Sequence, residues 1–279
     1  MQSLALIATG TASAALLALA GQVRADVVET RELEETIAVP ANEPLVVIVK
    51  NIIGPIRVTG HDRNSVEMHA TETVRGDLQA DIERARAEMQ LRTESEPGRV
   101  AIRVRPIDEN GGHRGWDGYS LEYDIEVRVP RNATLEVATV NDGDVTVEGV
   151  NGAFELKNVN GAVRLVGAAG SGTINTVNGD VEATFARVPA EPLSFRTVNG
   201  ELDVTFPATL SAELAFHTMQ GDVFTDFDVE SLSDPPEVRR DRGRYVMNTN
   251  RASAFRVGTG GERHSFNTLN GDIFVRKAD

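Results

Sequence analysis

The sequence contains no cysteine, and this absence excludes several kinds of chemistry. Disulfide bonds, thiol catalysis and Cys-ligated metals cannot occur, nor can a lipid anchor attached to an N-terminal cysteine. Aromatic residues make up only 5% of the 279 residues. Basic residues are also few, with 28 Lys and Arg against 42 Asp and Glu and a formal net charge of −14. Because phosphate binding needs clustered Lys and Arg, we expect no nucleic-acid partner.

Signatures of common enzymes are missing as well. The chain has no G-x-S-x-G, P-loop or dinucleotide-binding fingerprint. Its five histidines show no mutual spacing typical of a metal site; they are His61, His69, His113, His217 and His264. We predict that His217 points into solvent.

Long hydrophobic runs are limited to one stretch at residues 4–20, which carries no charge. The run is short for a membrane span and is followed by small residues at cleavage-like spacing. We predict a secretory signal peptide at residues 1–25, cut after Ala25 or, as a second option, after Ala20. No Lys or Arg precedes Leu4, so a retained membrane anchor is the alternative. After cleavage we expect no membrane span and an exported chain, periplasmic or at the cell surface.

A repeat built on Asn-Gly turns dominates what the sequence does contain. Its copies lie at residues 139–147, 150–156, 159–165, 176–185, 197–206, 218–227 and 268–275. Asn-Gly supplies a tight turn, because Gly adopts positive φ without penalty. Apolar residues then follow at the second and fourth positions after the Gly, which predicts a strand with one buried face.

The spacing of the turn glycines predicts how the copies stack. Five glycines follow one another every nine residues, and later ones every twenty-one: Gly143, Gly152, Gly161, Gly170 and Gly179, then Gly200 and Gly221. Nine residues make about one strand and one turn. We therefore predict a flattened β-solenoid with two strands per lap of 18–21 residues. Gly152 and Gly170 should then lie on the opposite edge from the other five.

An antiparallel sandwich or a meander of Asn-Gly hairpins is the competing fold, because Asn-Gly between alternating strands is also a strong hairpin signal. The solenoid is favoured because Thr-Val-Asn-Gly recurs almost unchanged. Hairpins do not require similar turns, whereas stacked laps do.

The rest of the chain divides into two further parts. For residues 26–135 we predict a strand block with one helix at 77–91. The helix is indicated by an apolar stripe formed by Leu78, Ile82, Ala85 and Met89. We predict Asp77 as its N-cap, and expect the helix to cover the open end of the solenoid core. The repeat region at 136–279 contains a charged insertion at 228–247, which predicts an exposed loop. Residues 26–279 are expected to form one continuous domain.

A family resemblance supports this division. The strand block, short helix, strand ending in Val-Pro at Tyr123–Pro130 and Thr-Val-Asn-Gly-Asp-Val units resemble the bacterial "putative adhesin" family. This β-strand-repeat family has no known function, and the resemblance covers residues 36–277. It implies a solenoid-like fold and placement at the cell surface or in the envelope, and it brings no catalytic residues.

Two groups of side chains are candidate sites. The first group consists of aromatic residues in or beside a Gly-rich loop: Trp116, Tyr119 and Tyr123. We predict that they contact a ligand, since exposed aromatic rings commonly anchor partners. The second group is an outward carboxylate ladder on one edge, comprising Asp144, Asp180, Glu201, Asp222 and Asp272. Such a ladder suits polysaccharide cleavage or calcium binding. However, most laps carry one carboxylate, so none is singled out, and the calcium-binding nonapeptide is absent.

These observations favour a non-enzymatic exported protein, adhesin-like or an envelope scaffold, which presents an elongated surface to an envelope component or a partner protein. No cofactor is expected, with calcium as the one possibility. The alternative is a polysaccharide-active enzyme that uses carboxylates on one solenoid face. A third reading is a purely structural or regulatory scaffold without a ligand of its own.

Overall fold

The computed structural model describes residues 27–41, 43–106, 118–232, 238–241, 244–247 and 253–278. The predicted signal peptide and Trp116 lie outside these ranges. The described ranges contain 23 β-strands and one α-helix, so the prediction of an all-β chain with one short helix is confirmed. No helix within them has both the length and the apolar character of a membrane span.

Most strands form laps, in which two consecutive strands lie in two facing sheets, B and then A. In spatial order the laps are β6 (Arg99–Pro106) with β7 (Tyr119–Pro130), β2 (Val46–Lys50) with β3 (Ile56–His61), β8 (Thr134–Ala138) with β9 (Val145–Glu148), β10 (Phe154–Lys157) with β11 (Val163–Ala168), β12 (Gly172–Asn175) with β13 (Val181–Phe185), β14 (Ser194–Arg196) with β15 (Leu202–Phe206), β22 (Arg263–Asn267) with β23 (Ile273–Lys277), and β16 (Ala212–His217) with β17 (Val223–Thr225). Adjacent laps pair in parallel in both sheets. The Asn-Gly turns therefore connect the two sheets and do not form hairpins.

Two laps are out of sequence order in the stack. The lap β2–β3 lies between β6–β7 and β8–β9, and the lap β22–β23 lies between β14–β15 and β16–β17. The repeat copy at residues 268–275 thus lies at an internal position of the stack, although it is the last copy in the sequence. Each of these two laps therefore pairs with a neighbouring lap on both sides.

Antiparallel strands cover both ends of the stack. At one end they are β1 (Val27–Ala38), β4 (Ser65–Gly76) and β5 (Met89–Glu96), and at the other end β18 (Val229–Ser231), β19 (Val238–Asp241), β20 (Arg244–Met247) and β21 (Ser253–Val257). Three of these strands lie within residues 228–247, so the prediction of an exposed loop there was wrong. They pair directly or indirectly with β16 and β17, whose free edges would otherwise be open to intermolecular pairing.

The helix α1 spans Gln79–Glu88 and is shorter than the predicted 77–91. It ends because Met89 adopts an extended conformation, with φ −132° and ψ 132°, and begins the strand that pairs with β6. Leu78, and not Asp77, is the N-cap residue. Strand pairing at the C-terminal end therefore overrides the helical periodicity of the sequence.

Helix α1 packs against β1, β4, β5 and β7 at the N-terminal end of the stack. Ile82 and Ala85 are fully buried in the core, as predicted. Leu78 is 52% exposed and does not belong to the buried stripe.

A buried carboxylate joins α1 to the strands beneath it. The Glu72 side chain in β4 is only 1% exposed. It accepts hydrogen bonds from Arg31 of β1 at 2.8 Å, from Arg86 of α1 at 2.7 Å and from Tyr123 of β7 at 2.8 Å. Arg86 also donates to Glu29 at 2.6 Å. A buried charge is tolerated here because it is paired and hydrogen-bonded.

A column of glycines sets the spacing of the laps on one edge. Its members are Gly54, Gly143, Gly161, Gly179, Gly200, Gly271 and Gly221. A Cβ on Gly179 would lie 2.1 Å from the carbonyl oxygen of Gly161 in the neighbouring lap. Gly152 and Gly170 stack separately, on the opposite edge, as predicted. Only a residue without a side chain allows the backbones to approach this closely.

One histidine replaces an aliphatic residue in the core. His264 of β22 lies in register with Leu193 and Leu214, is 1% exposed and stacks on Phe206 at 5.7 Å between ring centroids. Its Nδ1 accepts a hydrogen bond from the Leu193 N–H at 3.2 Å. Burial lowers the pKa of His264 from 6.5 to about 4.

We expect this histidine to make the fold sensitive to mild acid. Because the pKa is lower in the folded state, the unfolded chain binds a proton more readily between pH 6.5 and about 4. The free energy of unfolding should therefore fall by roughly 3 kcal/mol as pH decreases through this window. Urea titrations of the wild type, His264→Gln and His264→Phe across this range measure the effect. Both variants should lose this part of the pH dependence; an unchanged slope would show that another group causes it.

In the glycine column, a Gly→Ala substitution should lower the free energy of unfolding through a steric clash, and this effect can be measured separately from backbone strain. Gly179→Ala should lower the free energy of unfolding by roughly 3 kcal/mol or more, because the new Cβ meets a buried carbonyl. Gly167 is the matched control, since it has φ +63° and nothing within 4 Å of an added Cβ. Gly167→Ala should cost about 1–2 kcal/mol from strain alone. Equal losses in urea titrations of the two variants would contradict the steric explanation.

Candidate functional site

The turns that carry the glycine column stack into one edge of the molecule, which we call the Asn-Gly edge. It comprises residues 51–55, 139–144, 158–162, 176–180, 197–201, 268–272 and 218–222, in spatial order. Backbone hydrogen bonds fix adjacent turns in register: the Asn178 N–H donates to the Val159 carbonyl at 2.8 Å, and the Asn199 N–H donates to the Val177 carbonyl at 2.9 Å. Each position of the turn therefore becomes a straight row along the stack.

The first row points inward and satisfies the backbone. Its threonines are buried: Thr139, Thr176, Thr197, Thr218 and Thr268. Each hydroxyl donates to the carbonyl of a column glycine in the adjacent lap; Thr176 Oγ1, for example, lies 3.0 Å from the Gly161 oxygen. The glycine carbonyls thus keep a partner although they are withdrawn from water.

The asparagines form a second row, whose side-chain amides bond to one another. Asn160 Nδ2 donates to Asn141 Oδ1 at 2.8 Å, and Asn178 donates to Asn160 at 2.9 Å. The series continues with Asn199 and Asn270, at 2.8 and 2.7 Å. Stacked amides of this kind stabilise in-register parallel strands.

The predicted carboxylates also form a row, but several of them bind backbone. The Oδ1 atoms of Asp144, Asp180 and Asp272 each accept a hydrogen bond at 2.8 Å from a main-chain N–H of the next lap. These carboxylates complete the turns. Among the described residues, no three or more His, Asp or Glu side chains are grouped so that they could hold a metal ion.

A row of apolar side chains, missed by the sequence reasoning, lies on the solvent side of the same edge. Its members are Ile52, Val140, Val159, Val177, Val198, Leu269 and Met219, and we call them the apolar row. Val140, Val159, Val177 and Leu269 are 37–39% exposed, and Met219 is 60% exposed. The signal was available in the sequence, because the residue between Thr and Asn is apolar in every Thr-x-Asn-Gly copy.

The aromatic candidates do not form one site. Trp116 lies outside the described residues. Tyr123 is a core residue, 1% exposed, and its burial and its hydrogen bond to Glu72 raise the pKa of its hydroxyl. Tyr123 therefore presents no surface to a ligand in solvent.

Tyr119 is half-buried beside helix α1. Its hydroxyl donates to Glu88 at 2.6 Å, and the Arg84 guanidinium lies 5.4 Å from its ring centroid. Burial and the neighbouring Glu88 carboxylate raise the pKa of Tyr119 to about 12. These contacts give Tyr119 a part in docking the helix.

Three solved structures match most of the chain at low sequence identity. A "putative cell adhesion protein" from Clostridium sporogenes is 10% identical, with 90% of this chain and 100% of that chain covered and a TM-score of 0.43. A "putative adhesin" from Bacteroides fragilis is 8% identical, with 89% and 97% covered and a TM-score of 0.29. A "putative lipid binding protein" from Parabacteroides distasonis is 10% identical, with 90% and 97% covered and a TM-score of 0.30.

No protein with a curated description matches the chain. A family model does match, over residues 124–252, and it is described as Toastrack DUF4097. The matched segment contains most of the Asn-Gly edge. Residues 124–252 are therefore similar to the Toastrack DUF4097 family, which confirms the predicted family resemblance for this part of the chain.

Proposed function

We propose that the chain is a non-enzymatic, exported β-solenoid scaffold of the adhesin type, located in the periplasm or at the cell surface. In this proposal the Asn-Gly edge is the elongated surface that contacts a cell-envelope component or a partner protein. The apolar row carries the proposal, because five of its seven side chains are 37–60% exposed.

Each of the other rows of the edge has a structural role, whereas in the apolar row Ile52 alone is packed against the core. The threonines satisfy glycine carbonyls, the asparagines bond to one another, and Asp144, Asp180 and Asp272 accept main-chain N–H groups. The side chains of the apolar row leave much of their surface in water. A contiguous exposed apolar strip rimmed by polar residues is typical of an interaction site.

The edge is also pre-organised for binding. Its turns are held by main-chain hydrogen bonds of 2.8–3.1 Å between neighbouring laps, so little conformational entropy remains to be lost. Six lap spacings of about 4.8 Å give an apolar row about 29 Å long. Such a length suits an extended partner better than a small molecule.

The polysaccharide-enzyme alternative has less support. General acid–base chemistry needs two or three converging carboxylates, one of them protonated. Three of the five predicted ladder carboxylates are instead engaged with the main chain of the adjacent lap.

Co-sedimentation with cell-wall sacculi and outer-membrane fragments tests the proposal. We expect the purified protein to bind one of these fractions without calcium. The variant Val159→Thr/Val177→Thr should bind roughly tenfold more weakly, because each change replaces a methyl group that binding would bury with a hydroxyl. The matched control is Val28→Thr/Val166→Thr, since these valines are 53% and 38% exposed but lie off the edge. The control should bind like the wild type.

Several outcomes would contradict the proposal. Equal binding by both double variants would remove the edge as the site, and loss of binding with Trp116→Ala alone would move the site to the Gly-rich loop. Binding that requires calcium would favour the carboxylate row. Release of soluble sugar, abolished by Asp144→Asn and Asp180→Asn, would favour the enzyme. Absence of binding to either fraction would favour a scaffold without an envelope ligand.

A further inference from the structure

Two polar rows of opposite charge run beside the apolar row of the Asn-Gly edge. On the sheet B side, the last outward residue of each lap forms what we call the basic flank: Lys50, Ala138, Lys157, Asn175, Arg196, Asn267 and His217. On the sheet A side, the residue after each column glycine forms the acidic flank: Pro55, Asp144, Ala162, Asp180, Glu201, Asp272 and Asp222. The basic flank contains no acidic residue and the acidic flank contains no basic residue. His217 of the basic flank is exposed, as predicted.

We propose that the occupant of this edge is a second copy of the same chain, related by a two-fold axis parallel to the stacking direction. The inference rests on the proposed function, because it names the partner of the same surface. A two-fold axis in this direction places the apolar row of one copy on that of the other. It also exchanges the flanks, so that the basic flank of each copy faces the acidic flank of its neighbour.

The pairing is specific in the lap β14–β15. Arg196 and Glu201 lie on opposite flanks of this lap, and both side chains are exposed. Glu201 interacts electrostatically with Arg276, but neither Arg196 nor Glu201 forms a close ion pair with another described residue. Under the two-fold axis, Arg196 of one copy faces Glu201 of the other, and this contact occurs twice. Asn175 faces Asp180 and His217 faces Asp222 in the same way.

The repeat distance of the edge favours a second copy over an α-helical partner. The laps are spaced by about 4.8 Å, whereas a helix has a pitch of 5.4 Å. Over six lap spacings a helix completes about five turns, so its side chains move out of register with the laps. Only a surface with the same spacing meets every lap in the same way, and a second copy of this edge has that spacing.

The size of the edge sets the expected affinity. A strip about 29 Å long and about 15 Å wide buries on the order of 500 Å² from each copy, or about 1,000 Å² in total. This is the lower limit of specific interfaces, so the dimer should form reversibly in the micromolar range. Charge pairs at the rim should strengthen it at low salt.

Sedimentation velocity with charge-reversal variants tests the orientation. The wild type should show a reversible monomer–dimer equilibrium. Arg196→Glu and Glu201→Arg should each weaken the dimer roughly tenfold, because two like-charged contacts replace two ion pairs. Mixing the two variants, or combining both changes in one chain, should restore dimerisation. Arg164→Glu, an exposed residue of the outer face of sheet A, is the matched control and should leave the dimer unchanged.

Single cysteines give a second test that does not depend on charge, since the natural chain has none. Across a parallel two-fold axis each residue of the apolar row faces its own copy. Val140→Cys and Leu269→Cys, which lie four laps apart, should therefore both form disulfide-linked dimers under mild oxidation. Val166→Cys is similarly exposed but off the edge, and should remain monomeric.

The inference and the proposed function fail in different ways. A wild type that stays monomeric at high micromolar concentration would overturn the inference, as would singly reversed variants that do not complement each other. Cross-linking of only one of the two cysteine variants would overturn the parallel arrangement. A monomer that still binds envelope fractions through Val159 and Val177 would leave the proposed function intact. A dimer that binds envelope fractions equally well with and without the Val159→Thr/Val177→Thr changes would support the inference and contradict the proposed envelope contact.

Discussion

The fold depends on the contact between column glycines of adjacent laps. The carbonyl oxygen of Gly161 lies only 2.1 Å from where a Cβ on Gly179 would be, and the Gly200 oxygen lies 2.0 Å from where a Cβ on Gly271 would be. Backbones that approach this closely allow only one register. Since the register is fixed, every position of the turn repeats along the edge at the strand spacing of about 4.8 Å.

The close approach determines the chemistry of the neighbouring positions. A glycine carbonyl withdrawn from water needs a donor, and the buried threonine hydroxyl of the adjacent lap supplies it. An asparagine in the turn stacks on another asparagine, and its amide donates a hydrogen bond to the asparagine of the neighbouring lap. The near-identity of the repeats thus follows from contacts between laps, and a single substitution affects two neighbours.

Much of this was predictable from the sequence, because it is local or periodic. The glycine spacing predicted which turns share an edge, and the period-two pattern predicted the inward residues of the strands. The position of the 268–275 copy was not predictable, because all Thr-x-Asn-Gly copies fit any internal position equally well. Residues 89–91 continue a helical pattern, yet they pair with β6. The burial of Tyr123 depends on Glu72, which is 51 residues away.

The apolar row was overlooked for a related reason. The period-two pattern of each repeat distinguishes buried from solvent-facing strand residues, but it gives no such distinction within the turn. The structure shows that the turn has its own inside and outside, with threonine within and valine without. A valine that faces solvent in one turn is unremarkable, but seven apolar residues in one line are a surface.

The two ends of the stack help to identify which surface is available for a partner. Antiparallel strands and helix α1 cover the open ends of the described core, and charged residues of β1, including Glu32 and Glu34, protect its outer edge from further pairing. The sheet faces carry mixed charges, such as the Arg164–Glu182 pair at 2.9 Å. The Asn-Gly edge differs, because its apolar centre is continuous and its charges are separated by sign onto two sides. Three of the acidic-flank carboxylates also bind main-chain N–H groups within the chain, but separation of the charges by sign favours a complementary surface that faces the edge.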